Sequence, residues 1–390
     1  MSYIGKTPTP APLTSSDITD GIITTTKIAD ANVTNPKLTS GSQQNFRNII
    51  INGDMSIAQR GTSTSSITSS GYNTVDRFRT GLVTLGTWTQ TQSTDVPTGQ
   101  GFAKSMKLDC TTADASPASG DLLFFQQRIE GQNLQYLKKG TSSTESLTAS
   151  FWVKSNKTGT YILELYDTDN TRSISKSYTI SSANTWEKKT ITYDGDTSGA
   201  FANDNGGSLR FNFWLGAGTD YSSGTLATSW NSLTNANRAV GQVNLADSTS
   251  NEWYVTGVQL EAGTSASDFE FLPYDVNLRR CQRYYQLITS GSSDIFGTGF
   301  NYNSSQVRSY DFYYQEMRGT PSLDIETGSD YYSFLRNGAV DNLNTFELDG
   351  RTNKKSYGIL NSTEASGTSG QAGFLRTNNA SAYIAFDAEL

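Results

Sequence analysis

The 390-residue chain contains no histidine, only two cysteines, and few charged residues, at 17% of the total. Without histidine the usual general base, the usual partner of a nucleophile and the commonest metal ligand are all missing. Enzymes that work through carboxylates alone stay open. Cys110 and Cys281 lie far apart and match no metal-binding spacing, so both read as buried, reduced thiols. No apolar run approaches the roughly 20 residues that span a bilayer, which argues against membrane insertion. The N-terminal "MSYIGKTPTPAPLTSS" has no apolar core of a secretory signal, so the chain is expected to be made in a cytoplasm. Its net charge is −7, and its positive residues form no stripe that would offset phosphates. A nucleic-acid partner is therefore not expected.

The chain does hold Gly, Ser, Thr and Asn in quantity, with 20 Tyr and 18 Phe. Such residues suit twisted strands and tight turns, and predict an all-β protein. Residues 1–45 form a first section in which a ten-residue pattern repeats. Leu13, Ile23 and Val33 each precede a threonine, and Ile18, Ile28 and Leu38 follow five residues later. Repeats at a fixed short period read as one unit stacked along an axis. Two aliphatics in ten cannot bury a core, so these six residues are expected to be covered by other chains. The alternative is a Ser/Thr-rich linker.

Residues 46–272 carry some nine short strand-like runs separated by Gly, Asn and Asp turns, the pattern of a two-sheet sandwich. In "GTYILELYD", Tyr161, Leu163 and Leu165 face one way and Ile162, Glu164 and Tyr166 the other. In "SLRFNFWLG", Leu209, Phe211 and Phe213 share a face. "RNIII", at 47–51, reads as a short apolar strand before an "NGD" turn. Residues 273–287 give the helical signal, with Leu278, Cys281, Gln282 and Tyr285 at spacings of three and four and Asp275 as cap. Residues 288–390 read as a second, smaller β domain.

Several stretches resemble a known group. "NIIINGDMSIAQRG", "SFWVKSNKTGTY", "TWEKKTITYDGDTSGAF" and above all "VQLEAGTSASDFEFLPYDVNLRRCQRYYQ" resemble the jelly-roll region of bacteriophage tail-fibre and related virion proteins. "MRGTPS" and the closing "YIAFDAEL" are similar to the end of their C-terminal β domain, and the N-terminal repeat looks like those that precede such domains. The resemblance implies a jelly roll related to carbohydrate-binding modules, a homotrimer, and a place on the virion exterior. Residues 1–45 would then attach to other virion proteins, with the 288–390 domain as distal tip. It also implies a structural Ca²⁺, for which Asp54 and Glu261 are the corresponding positions, although Ca²⁺ takes 6–8 oxygens.

"YDTDNT" (Asp167, Asp169, Asn170) and "YDGDTSG" (Asp194, Asp196) open like calcium loops but lack the later Gly and Glu, so they read as hairpin turns. No carboxylate pair stands out as a glycosidase couple, and no catalytic residue is assigned. A glycan site would instead use aromatic rings as platforms. The candidates are Trp88, Tyr166, Trp214, Tyr221 and Trp230, with Tyr166 and Trp230 favoured for exposure. The expected function is a non-enzymatic fibre or spike that binds host surface glycan. The alternatives are a non-adhesive capsid fibre or tail structural protein with protein partners only, and a surface-polysaccharide depolymerase.

Overall fold

The computed structural model describes residues 46–390. The repeat residues Leu13, Ile18, Ile23, Ile28, Val33 and Leu38, and the attachment role expected of them, lie outside the described residues. Arg47–Leu390 form one compact unit, and all named strands pair antiparallel, as the all-β reading expected.

The first thirteen strands are β1 (Ser63–Ile67), β2 (Gly71–Tyr72), β3 (Phe78–Val83), β4 (Thr87–Ser93), β5 (Ser105–Thr112), β6 (Leu122–Glu130), β7 (Leu147–Ser155), β8 (Gly159–Asp167), β9 (Arg172–Ile180), β10 (Glu187–Tyr193), β11 (Gly207–Ala217), β12 (Asn231–Ser232) and β13 (Glu252–Ala262). They build a six-stranded sheet, β1-β4-β5-β13-β7-β10, and a seven-stranded sheet, β12-β9-β8-β11-β6-β3-β2. The two inner faces share one core. Rings from opposite sheets meet there: Phe151 and Phe213 at 4.9 Å, Phe213 and Trp253 at 5.4 Å, Phe125 and Trp253 at 6.0 Å. These are the separations at which edge and tilted aromatic pairs attract. The alternation read in β8 and β11 holds: Tyr161, Leu163, Leu165, Leu209, Phe211 and Phe213 all lie in this core.

"RNIII" is buried but is not a strand. Buried amide side chains take the place of a ladder partner. Gln127 exchanges two hydrogen bonds with the main chain of Ile51, both 2.8 Å. Asn48 accepts from the Ile50 and Leu260 amides and donates to the Val258 carbonyl. Gly53 is required where the two segments cross, since a Cβ there would lie 2.0 Å from the Val258 oxygen.

The helix is shorter than its sequence pattern. α1 (Thr219–Ser222) is a single turn, and α2 runs only over Tyr274–Gln282, with Pro273 rather than Asp275 at its N-cap. Tyr285, read as part of the apolar stripe, instead begins β14 (Tyr285–Ser290). Cys281 and Tyr284 pack on Ile51 and Ile57, and Arg283 makes a bidentate pair with buried Glu130, both contacts 2.8 Å. The chain therefore turns from helix to strand where its side chains reach the sandwich. Both cysteines are buried and free.

The remaining strands are β15 (Ile295–Asn301), β16 (Val307–Phe312), β17 (Ser322–Ile325), β18 (Tyr332–Arg336), β19 (Ala339–Leu343), β20 (Glu347–Leu348), β21 (Ser356–Asn361), β22 (Ala372–Thr377) and β23 (Tyr383–Asp387). A three-stranded sheet, β14-β23-β17, and a seven-stranded one, β19-β18-β22-β15-β16-β21-β20, enclose a second core. β20 and β21 pair antiparallel as a hairpin within "FELDGRTNKKSYGIL". The last residues return to the sandwich: Asp387 and Glu389 pair with Arg60, and Glu389 also pairs with Arg77. No helix among the described residues is long and apolar enough to cross a membrane.

Candidate functional site

The aromatic residues expected at a glycan site separate into enclosed and accessible ones. Trp88 is fully enclosed between the sheets, its Nε1 donating to the Leu85 carbonyl at 2.8 Å. Its ring has no free face, which corrects its place among the platforms. Trp214 projects from the outer face of the seven-stranded sheet, beside Asn212 and Arg210 on β11 and across from Ile162 on β8. It too is fully buried, because Tyr221, Leu226 and Ala239 of the β11–β13 connection lie over it. Its Nε1 donates to Glu164 Oε2 at 3.0 Å. Tyr221 is half-buried, 5.5 Å from Trp214 ring to ring. Trp230 is half-buried, with Nε1 donating to the Asp194 carbonyl at 2.8 Å. Tyr166 is half-buried at the edge of the covered region, between the guanidinium groups of Arg210 and Arg238, each 5.3 Å from its centroid.

Asp54 and Glu261 are each engaged by protein donors. Asp54 accepts from Ser56 Oγ at 3.0 Å and from Asn277 Nδ2 at 3.1 Å. Glu261 accepts from Gln259 Nε2, Ser267 N and Ser267 Oγ at 2.7–2.9 Å, with Arg47 Nε at 3.6 Å. Among the described residues no group of three or more acidic or Cys side chains is placed to hold a metal ion.

A concavity that combines rings with convergent polar groups was not read from the sequence. It is a cleft of about 450 Å³ between the sandwich and the β14-β23-β17 sheet. Its walls are Tyr72 of β2, Tyr285 of β14 and Tyr383 of β23, and its charged groups are Arg60, Asp324 and Asp387. The Arg60 guanidinium stacks on Tyr285 at 3.6 Å and lies 5.4 Å from Tyr72, held by Asp387 at 2.9 Å. Asp324 accepts from the Tyr285 and Tyr383 hydroxyls at 3.0 and 2.9 Å. Gln59 and Asn73 stand at the rim. Burial first, and then the Asp324 carboxylate, push the Tyr285 phenol well up and that of Tyr383 up to about 12. Both hydroxyls therefore stay protonated and fixed at neutral pH. The arrangement offers ring surface, donors and acceptors around a volume in the range of small-ligand sites.

Tyr72 joins this cleft to the outer face of the seven-stranded sheet, because it stands directly opposite Arg79 of β3. Only the Tyr284-Tyr285 pair carried any signal in the sequence. Two adjacent large aromatics at the end of a helical stripe fit a change to strand better than a further helical turn.

No family model matches the sequence, and no curated protein matches it. Parts of the chain are similar to solved structures. One is the enzymatically active domain of tailspike protein 4 of bacteriophage CBA120, 18% identical with a TM-score of 0.29 over 55% of this chain. The chain spans about a fifth (21%) of that protein's length. A family 11 carbohydrate-binding module of a Clostridium thermocellum cellulase is 12% identical, TM-score 0.26, over 56% of this chain and 96% of the module. The CBM22-1–CBM22-2 tandem domain of Paenibacillus barcinonensis Xyn10C is 8% identical, TM-score 0.24, over 84% and 95%. At these low values, what those proteins bind or cut is not carried over to this chain.

Proposed function

We propose that the protein is a non-enzymatic component of a phage particle's exterior, a trimeric tail fibre or spike, that holds host-surface glycan. In this reading residues 1–45 attach it to other virion proteins. The observation that carries the binding role is the cleft, with the half-buried Tyr72 and Tyr383, Arg60 stacked on buried Tyr285, and two carboxylates around about 450 Å³. Sugars present apolar faces that rings cover and hydroxyls that carboxylates, amides and guanidinium groups bind. Both cleft carboxylates already orient donors, Asp324 two phenols and Asp387 Arg60. That favours holding a ligand over hydrolysing it. The resemblance of the "VQLEAG" stretch to phage fibres supplies the biological setting.

Full-length protein incubated with a panel of immobilised bacterial surface glycans is expected to retain at least one class. Tyr383→Ala, which removes one wall and one donor to Asp324, is expected to weaken that binding about tenfold, the loss of one ring contact worth about 1.4 kcal/mol. A panel on which no glycan is retained contradicts the binding role. Light scattering tests the assembly separately: the mass of three chains is expected, and the mass of one at micromolar concentration removes the trimer.

A further inference from the structure

The half of the outer sheet face away from Trp214 carries three half-buried arginines on adjacent strands: Arg79 on β3, Arg128 on β6 and Arg210 on β11. The register sets Arg128 directly opposite Arg210, and Arg79 opposite Gln126, one diagonal step from Arg128. Like charges facing each other across a strand pair are destabilising. No Asp or Glu side chain among the described residues forms an ion pair with any of the three. The carboxylate on the neighbouring row, Glu164, is taken by Arg238, Asn212 and Trp214. Arg128 donates to the Leu390 main-chain oxygen at 2.6 Å, Arg210 lies 5.3 Å from the Tyr166 ring, and the Arg79 side chain makes no hydrogen bond within the described residues. Burial, reinforced by the neighbouring guanidinium charges, lowers the pKa of both Arg79 and Arg210.

The row between these arginines and Glu164 holds polar atoms without partners. Gln126 is fully buried and neither its Oε1 nor its Nε2 is hydrogen-bonded; the same holds for Oδ1 of Asn212, 1% exposed, and for Arg128 Nε. Side-chain alternation on β6 and β11 directs Gln126 and Asn212 to the same face as the arginines. Buried polar groups left without partners carry a desolvation penalty. An anion accepting from the two donors among them, Gln126 Nε2 and Arg128 Nε, would relieve part of that penalty together with the repulsion, and sugar hydroxyls would supply donors to the amide oxygens of Gln126 and Asn212.

We propose that this face is an anion subsite continuous with the cleft, so that the ligand is an acidic polysaccharide bearing carboxylate, phosphate or sulfate groups. The inference rests on the glycan-binding reading and gives it a ligand class. Tyr72 lines the cleft and faces Arg79, so a chain lying in the cleft passes next to the arginines. Guanidinium groups match such anions through paired, parallel hydrogen bonds.

The test is calorimetric titration of full-length protein with three polymers of similar length: polygalacturonate, a glycerol-phosphate polymer and neutral dextran, with inorganic phosphate alongside. At least one acidic polymer is expected to bind about tenfold more tightly than dextran at low salt, an advantage that shrinks as salt rises. Which acidic polymer it is separates a carboxylate from a phosphate ligand. Arg79→Gln and Arg210→Gln are each expected to remove that advantage without lowering the melting temperature, because each relieves repulsion. Equal binding of acidic and neutral polymers, or an unchanged preference in both variants, overturns the inference and leaves the glycan reading standing. Binding of no polymer overturns both. Inorganic phosphate binding as tightly as the polymers also overturns it, by giving an anion site without a glycan.

Discussion

Lys139→Met is expected to destabilise the protein by roughly 3–5 kcal/mol, the range for removing one partner from a buried ion pair. The ammonium group sits among four oxygens: Asp167 Oδ2 at 2.6 Å, Asp196 Oδ2 at 3.0 Å, and the Ser198 and Gly199 carbonyls at 2.9 and 2.8 Å. The side chains of Lys139, Asp167 and Asp196 are 4%, 0% and 4% exposed. These are the turns "YDTDNT" and "YDGDTSG", and the positive charge between them is the lysine's. Methionine preserves the packed stem and removes the charge, leaving Asp167 buried without a cation while Asp196 keeps Arg172.

Burial raises the pKa of Asp196, but its hydrogen bonds and charge interactions with Arg172 and Lys139 outweigh this and hold it below the ordinary value. A carboxylate depressed in the folded state contributes stability above its unfolded pKa, and that contribution is lost as pH falls through the folded one. Wild-type protein is therefore expected to lose stability below about pH 4, and Lys139→Met to lose less over the same range. Urea titrations at neutral and acid pH check this. An unchanged midpoint at neutral pH contradicts the account of the cluster.

Arg238→Met is the second large effect, again roughly 3–5 kcal/mol. Glu164 is fully buried and accepts four bonds, from Arg238 Nε (2.7 Å), Arg238 Nη2 (2.9 Å), Asn212 Nδ2 (2.9 Å) and Trp214 Nε1 (3.0 Å). Arg238 comes from the segment over Trp214, so its loss is expected both to strand the carboxylate and to open that cover. Tryptophan emission should shift to the red and become more sensitive to acrylamide, alongside the lower urea midpoint. Replacing both members, as Glu164→Leu with Arg238→Leu, should recover much of the stability, because no buried charge is then left alone. A single variant with wild-type stability would show that the pair does not hold the segment down.

What could be read from the sequence was what depends on neighbours along the chain. The two-residue period of β8 and β11 assigned their inward and outward faces correctly, and the turn residues marked the hairpins. The same reasoning took "RNIII" for a strand, because hydrophobicity announces burial without naming the hydrogen-bond partner. Here Asn48 and Gln127 side chains serve that role. Trp88 and Trp214 show the matching failure for aromatic residues. Composition cannot say that one ring lies between two sheets, or that a later segment covers the other. The cleft was illegible for a different reason. Arg60 and Asp387 lie 327 residues apart and Gln59 and Leu287 228 apart, and no local pattern encodes that meeting.

The binding role is tested most directly by titrating full-length protein with its retained glycan beside the Tyr72→Ala/Tyr383→Ala double variant. The predicted result is saturable binding by the wild type and a loss of about a hundredfold in the variant, two ring contacts at about 1.4 kcal/mol each. Undiminished affinity in a double variant that keeps the wild-type melting temperature would contradict the placement of the glycan in this cleft.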